Sequence, residues 1–191
     1  NHVEDPVLIL KTSQGNRSLS CDVLTPGSKR FEYGGKIFDG YKESPLAWDK
    51  GTTPEPINWY AGKQYDDCFG AAHEVLDNFD KQFPHWKGRG YEIEGFAWWQ
   101  GHKDGNEAHA SRYEFNLVRL IQSLRAEFDA PDAPFVIGTI GFGGWEMAGP
   151  HVTVADLRMA NNVLRRAKQW DGLAPTICPI TLGNAMWVVN T

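Results

Sequence analysis

Three cysteines in 191 residues are too few for a disulfide-stapled fold. Cys21, Cys68 and Cys178 lie far apart and form no CxxC pair, so the metal and redox motifs built on such pairs are missing too. Basic charge is also short: 19 Lys and Arg stand against 24 Asp and Glu, a net charge of −5. A chain without a basic surplus lacks the electrostatic footprint of a phosphate-backbone binder, and no nucleic-acid partner is expected. No apolar run approaches the roughly 20 residues that span a bilayer, and no membrane partner is expected either. The G-x-S-x-G, H-E-x-x-H, P-loop and G-x-G-x-x-G signatures are all absent. His102, Asp104 and His109 cluster in sequence, but Gly105 breaks any helical register and no further ligand set stands out, so no metal is expected.

What the chain has is glycine, proline and tryptophan: 20, 11 and 8 residues respectively. With 41% hydrophobic residues this is the composition of a globular domain with long ordered loops, and residues 1–191 read as one domain. Residues 6–11, Pro-Val-Leu-Ile-Leu-Lys, read as a buried strand, closed by the polar turn 12–16. Residues 21–65 show little periodicity and read as a long loop region. Phe69, Ala72, Leu76, Phe79 and Phe83 recur at helical spacing, which predicts a helix over 66–83 stopped by Pro84. Residues 92–100 read as a strand covered on both faces. A clear apolar stripe from Tyr113 to Phe128 predicts a helix over 107–128, with Asp104 or Asn106 as its cap. A strand over 134–141, a helix over 153–169 and a last strand over 176–182 complete the series.

Alternating strands and helices predict an α/β fold, three-layered with helices on both faces of a mostly parallel sheet. In such sheets the site lies beyond the carboxyl ends of the strands. That rule selects the loops at 12–18, 100–106 and 141–150. The first two offer the N–H groups around Gly15 and Asn16 and the carboxamide of Gln100, which are the donors an oxyanion hole requires. Ser13 is the only serine at a predicted strand end beside these donors, and His102 is the nearest candidate base. Trp48, Trp59, Trp98, Trp99 and Trp145 offer flat faces to a sugar ring, the basis of a non-catalytic carbohydrate-binding alternative.

Residues 96–104, Phe-Ala-Trp-Trp-Gln-Gly-His-Lys-Asp, resemble the W-x-Q-G-x-x-D block of SGNH hydrolases, in their carbohydrate and sialate O-acetylesterase branch. Residues 11–19, Lys-Thr-Ser-Gln-Gly-Asn-Arg-Ser-Leu, resemble that branch's K-T-x-W-G-G-x-S-L block, with Gln14 for the Trp and Asn16 for the second Gly. Residues 90–95 and 135–141 are similar as well, so the likeness runs over about residues 3–150. The resemblance implies a serine acyl-transfer esterase acting on an acetylated carbohydrate, with no cofactor. It assigns Gln100 as side-chain donor and Gly15 as backbone donor, with Asn16 at the second glycine position. Trp99, His102 and Trp145 become candidates for the substrate wall. A secreted or periplasmic location would follow from the family.

The family's G-Q-S nucleophile turn and its D-x-x-H base segment occur nowhere in the chain. The family's first strand, which lies inside the sheet beside the strand at 6–11, has no counterpart either. The expectation is a domain incomplete at both ends, with serine and histidine supplied by a further chain or by missing segments. A diverged, non-catalytic relative with a rearranged sheet is the alternative.

Overall fold

The computed structural model describes residues 6–138 and the backbone of residues 186–190. The predicted helix at 153–169, the predicted strand at 176–182 and the loop at 141–150 lie outside the described residues.

Among the described residues four strands make the main sheet: β1 (Val7–Leu10), β5 (Glu92–Trp98), β6 (Phe135–Ile137) and β7 (Met186–Asn190), in the order β1-β7-β5-β6. β5 and β6 run parallel, with Phe96 opposite Phe135 and Trp98 opposite Ile137. β7 is antiparallel to both of its neighbours, with Leu10 opposite Trp187 and Phe96 opposite Trp187 across its two edges. The α/β class holds, but among the described residues the sheet is mixed rather than mostly parallel. The interior position expected to be empty beside β1 is held by β7, which pairs the backbone groups that a gap would leave bare. Among the described residues β1 is an edge strand and not a buried one: Val7 and Ile9 are 43% and 51% exposed, and only Leu10 is buried.

Two long helices cover the core. α3 (Glu107–Glu127) buries Tyr113, Leu117, Leu120, Ile121 and Leu124, the stripe read from sequence. Its cap is Asn106, whose side chain accepts from the His109 N–H at 3.0 Å. α1 (Lys63–Leu76) buries Tyr65, Phe69, Ala72 and Leu76. Tyr65 and Ser123 share a hydroxyl hydrogen bond of 2.6 Å that ties the two helices together. α1 ends at Leu76, well before Pro84. Asn78 donates its side-chain amide to the Glu74 carbonyl, a local bond that competes with helical continuation. A one-turn helix, α2 (Phe79–Gln82), follows, and Pro84 opens a separate 3-10 turn. No helix among the described residues is long and apolar enough to cross a membrane.

The region 21–65 is not a plain loop. It contains a second, antiparallel sheet of β2 (Phe31–Tyr33), β3 (Lys36–Phe38) and β4 (Ala47–Asp49). Gly34 and Gly35 join β2 to β3 with φ of 56° and 78°, the left-handed pair that a two-residue hairpin loop demands. Phe31 stacks on Phe38 at 4.7 Å, and Tyr33 donates to Glu107 at 2.9 Å, which docks the hairpin onto the start of α3.

Asp39, just past β3, is fully buried, and neither carboxyl oxygen has a hydrogen-bond partner among the described residues. Burial first, then the nearby charges of Glu43 and Asp22, push its pKa up to about 8, against the opposing pull of its own backbone N–H and of Arg30. An unfolded aspartate titrates near ~3.9. The folded state therefore favours the protonated acid: its stabilising contribution is complete below about 4 and is lost as pH rises towards 8. Asp39→Asn should flatten the decline of Tm between those limits. At alkaline pH it should raise Tm by roughly 2–4 °C for each kcal/mol recovered. Thermal melts across the pH range check this; parallel curves for the two proteins would count against it.

Candidate active site

β1 and β5 deliver the segments 11–19 and 99–104 to one end of the sheet, and the two segments touch. Gln100 Nε2 donates to the Arg17 carbonyl at 2.8 Å and to Asp104 Oδ2 at 2.6 Å. Asp104 in turn accepts the backbone N–H of Leu19 at 2.8 Å and of Ser20 at 3.0 Å. Its side chain is completely buried. Burial pushes the Asp104 carboxyl up, while Gln100, the Leu19 N–H, the His109 ring and the Ser20 N–H pull it down. Sequence reasoning placed Asp104 as a possible helix cap. It reaches back across the sheet instead, and Asn106 does the capping.

The block W-W-Q-G-x-x-D thereby acquires a local explanation. Trp98 is core, and its indole N–H donates to Tyr113 Oη at 3.1 Å; the Tyr113 hydroxyl donates to the Gln100 carbonyl at 2.7 Å. The main chain of Gln100 is thus held by α3, and its carboxamide by Asp104. Trp99 faces the other way, as strand alternation requires. A Cβ at position 138 would come within 3.0 Å of its ring, which accounts for glycine there.

The turn after β1 is pinned from its outer side. Arg17 donates through Nε and Nη2 to Gln14 Oε1 at 3.0 and 2.9 Å, lies 3.5 Å from the buried Asp22 carboxylate, and stacks over Trp59 at 3.8 Å. Asn16 has φ of 59°. Asparagine is among the few non-glycine residues that adopt this left-handed conformation readily. Among the described residues the backbone N–H groups of Gly15 and Asn16 donate to nothing.

A cavity of about 280 Å³ opens between these loops. Ser13, Gly15, Asn16, Trp99, Gln100 and His102 all line it, so every predicted site residue within the described chain comes to one place. Trp145 lies outside the described residues. Four oxygens of residues that line the cavity are buried and have no partner among the described residues: Thr12 Oγ1, Ser13 Oγ, Gln64 Oε1 and Gln100 Oε1. Sequence reasoning missed Gln64 at the start of α1, since nothing in its neighbourhood marks it. Because Ser13 Oγ has no partner, the Ser13–His102 pair is not made in this arrangement. Both hydrogens of the Gln100 amide are engaged, by Arg17 and Asp104.

No group of three or more His, Cys, Asp or Glu among the described residues could hold a metal ion. A row of Asp104, His109 and Cys21 has the order of a nucleophile relay, but its contacts are long, 3.7 Å and 3.8 Å. Cys21 is 2% exposed, and burial, with the charges of Asp39, Asp104 and Asp22, raises its thiol far above the usual range. It is a structural thiol. The sugar-platform tryptophans mostly fall away as well: Trp48 and Trp98 are buried, and one face of Trp59 is covered by Arg17.

A family model described as carbohydrate esterase, sialic acid-specific acetylesterase, matches residues 46–171. The chain belongs to this carbohydrate esterase family. The match contains Trp99, Gln100, Gly101 and Asp104 but begins after the turn at 12–18, which the fold nonetheless brings against Gln100. No curated protein and no solved structure matches the chain significantly.

Asp104→Ala should be among the most destabilising changes in the described region, because it strands two backbone N–H groups and the Gln100 amide in a buried place. The expected loss is roughly 3–5 kcal/mol, with Asp104→Asn losing less, as read from the midpoint of denaturant unfolding. An Asp104→Ala protein as stable as the parent would show that the carboxylate does not hold the two loops.

Proposed function

We propose that this chain carries the oxyanion-stabilising part of a carbohydrate O-acetylesterase site. The reaction is serine acyl transfer: attack on an O-acetyl ester of a sugar, release of the sugar hydroxyl, then transfer of the acetyl group to water. The observation that supports this most is the joining of the turn after β1 to the carboxamide of Gln100 beside one cavity. The backbone N–H groups of Gly15 and Asn16, unpaired among the described residues, belong to residues that line the cavity and would serve as preorganised donors to an oxyanion. Of the two Gln100 hydrogen bonds, the one to Asp104 anchors the carboxamide. The one to the Arg17 carbonyl is exchangeable for a substrate oxygen.

The serine and the histidine of the reaction come, in this reading, from a further chain or from segments that this sequence does not contain. Ser13 stands in the cavity wall, yet a serine without a base is a weak nucleophile. Trp99 and His102 would form the wall that the sugar meets. An acetylated carbohydrate is the substrate, and the chemistry requires no cofactor. The missing partner of Ser13 Oγ also favours a second reading, a carbohydrate-binding relative with no turnover.

Release of acetate from an O-acetylated sialic acid, or of phenol from an aryl acetate, separates the two. The esterase reading expects Gln100→Ala to lower kcat by roughly 10²–10³ with the fold retained. Saturable sugar binding with no acetate released would replace it by the binding reading. A Gln100→Ala protein with full kcat would remove the oxyanion role.

A further inference from the structure

Gln64 lines the same cavity, and the acyl-transfer chemistry leaves it without a task. It is 4% exposed and stands at the start of α1, where its backbone N–H donates to the Asp22 carbonyl at 2.9 Å. The bonds around its side chain fix which way the carboxamide faces. Cys68 Sγ donates to the Thr12 carbonyl at 3.2 Å, so towards Gln64 the sulfur only accepts, and the Gln64 nitrogen meets it at 3.1 Å. The Gln64 oxygen is what remains, buried and without a partner among the described residues. Gln100 is fixed by the same logic. Its nitrogen meets two acceptors, the Arg17 carbonyl and Asp104, which leaves its oxygen unpaired as well.

A carboxamide oxygen only accepts, and a buried acceptor left unpaired is costly, so each of the two calls for a hydrogen from whatever fills the cavity. Thr12 Oγ1 and Ser13 Oγ, equally unpartnered, are hydroxyls that give or take a hydrogen. No Asp or Glu lines the cavity among the described residues, whereas Arg17 and Lys103 do. That lining repels an ammonium group, which points to a neutral donor. A volume of about 280 Å³ lies just below the usual span of small-ligand sites, roughly 300–1,000 Å³, and suits one sugar unit rather than a run of them.

We infer that Gln64 is a specificity residue whose oxygen accepts a hydrogen bond from a free hydroxyl of the sugar, so that the site takes a partly acetylated sugar and turns away one acetylated at every hydroxyl. The inference rests on the carbohydrate reading above and deepens it by naming which form of the sugar is bound. An acetylated position has lost its O–H and brings only acceptors, which oppose the Gln64 oxygen. A free hydroxyl donates to Gln64 and can accept in turn from Thr12 or Ser13.

Binding tests this without any turnover. The probes are the methyl glycoside of N-acetylneuraminic acid and its analogues in which fluorine replaces one hydroxyl at a time, which removes the hydrogen with little change in size. Dissociation constants are read by NMR titration of the full chain. One analogue should bind roughly three- to tenfold more weakly than the parent glycoside, the weight of one neutral hydrogen bond. In Gln64→Met, which keeps the length of the side chain and removes its acceptor, the two should bind alike. Gln64→Glu restores an acceptor and should restore the difference. If no analogue is weakened, or if the weakening is the same in Gln64→Met, the inference is overturned. A parent glycoside that does not bind overturns it too, and leaves water as the partner of the Gln64 oxygen. If Gln64→Met does not fold, as judged by far-UV circular dichroism, the carboxamide carbon resonance of Gln64 in the unaltered chain takes its place. It should move downfield with the parent glycoside and not with the weakened analogue; no such shift overturns the inference. These outcomes stay separate from the Gln100→Ala test. Gln64-dependent binding on a chain that releases no acetate keeps this inference and rejects the catalytic reading, whereas acetate release with no dependence on Gln64 rejects this inference alone.

Discussion

A buried carboxylate is costly unless hydrogen-bond donors surround it, and Asp104, 3.7 Å from the His109 ring, is such a group. Its compensation comes from N–H donors on two separate loops: Leu19 and Ser20 after β1, and Gln100 after β5. Hydrogen bonds to a charged group contribute roughly 1.5–3 kcal/mol each. Those from Leu19 and Ser20 form only when both loops are in place. The carboxylate therefore converts two independent strand ends into one unit. Tyr113 and Trp98 extend this unit into the core, since the Tyr113 hydroxyl holds the Gln100 carbonyl and receives the Trp98 indole. The precision of the candidate site is thus drawn from a helix and a strand and not from the loops alone, which is the condition for holding a catalytic geometry.

The sheet serves this arrangement in an unexpected way. β5 and β6 keep the parallel relation from which the site rule follows. β7 enters between β1 and β5 with the opposite direction, so the ladder is complete where the family likeness implied a gap. An antiparallel strand can satisfy the same N–H and C=O groups as a parallel one. What changes is which chain end reaches the site: an antiparallel β7 points its carboxyl end away from the loops that β1 and β5 deliver. Turn chemistry supplied from the position of the family's first strand would not reach the cavity by that route.

Much of this was legible in the residues. The stripe from Tyr113 to Phe128 and the cap at Asn106 gave α3 almost to its ends, because both signals are local. The Trp-Trp-Gln-Gly run pointed to the family and to Gln100, and of the three loops that the strand-end rule selects, residues of 12–18 and 100–106 line one cavity. The failures have separate causes. Tyr33-Gly34-Gly35-Lys36 carried a hairpin signal, but three-residue strands are too short to show alternation. α1 was read too long because Phe79 and Phe83 continue its spacing, while the break depends on what the side chain of Asn78 bonds to. The role of Asp104 was out of reach, since its partners lie 84 and 85 residues away and no periodicity reports a contact of that kind. β1 was taken as buried on composition alone, and an apolar run cannot tell an edge strand from an inner one.

The chemistry that these parts allow turns on how Gln100 divides its two hydrogens. A carboxamide with both hydrogens free would rotate and lose the advantage of preorganisation. One with both hydrogens irreversibly held would have nothing to give a developing oxyanion. The bond to Asp104 is the stronger of the two on chemical grounds, being made to a carboxylate in a buried setting, whereas the bond to the Arg17 carbonyl is an ordinary neutral one. Under the proposed reading, a substrate oxygen that gains negative charge is a better acceptor than a peptide carbonyl, so the exchange would become favourable as charge develops and not before. That difference between ground state and transition state is what lowers a barrier.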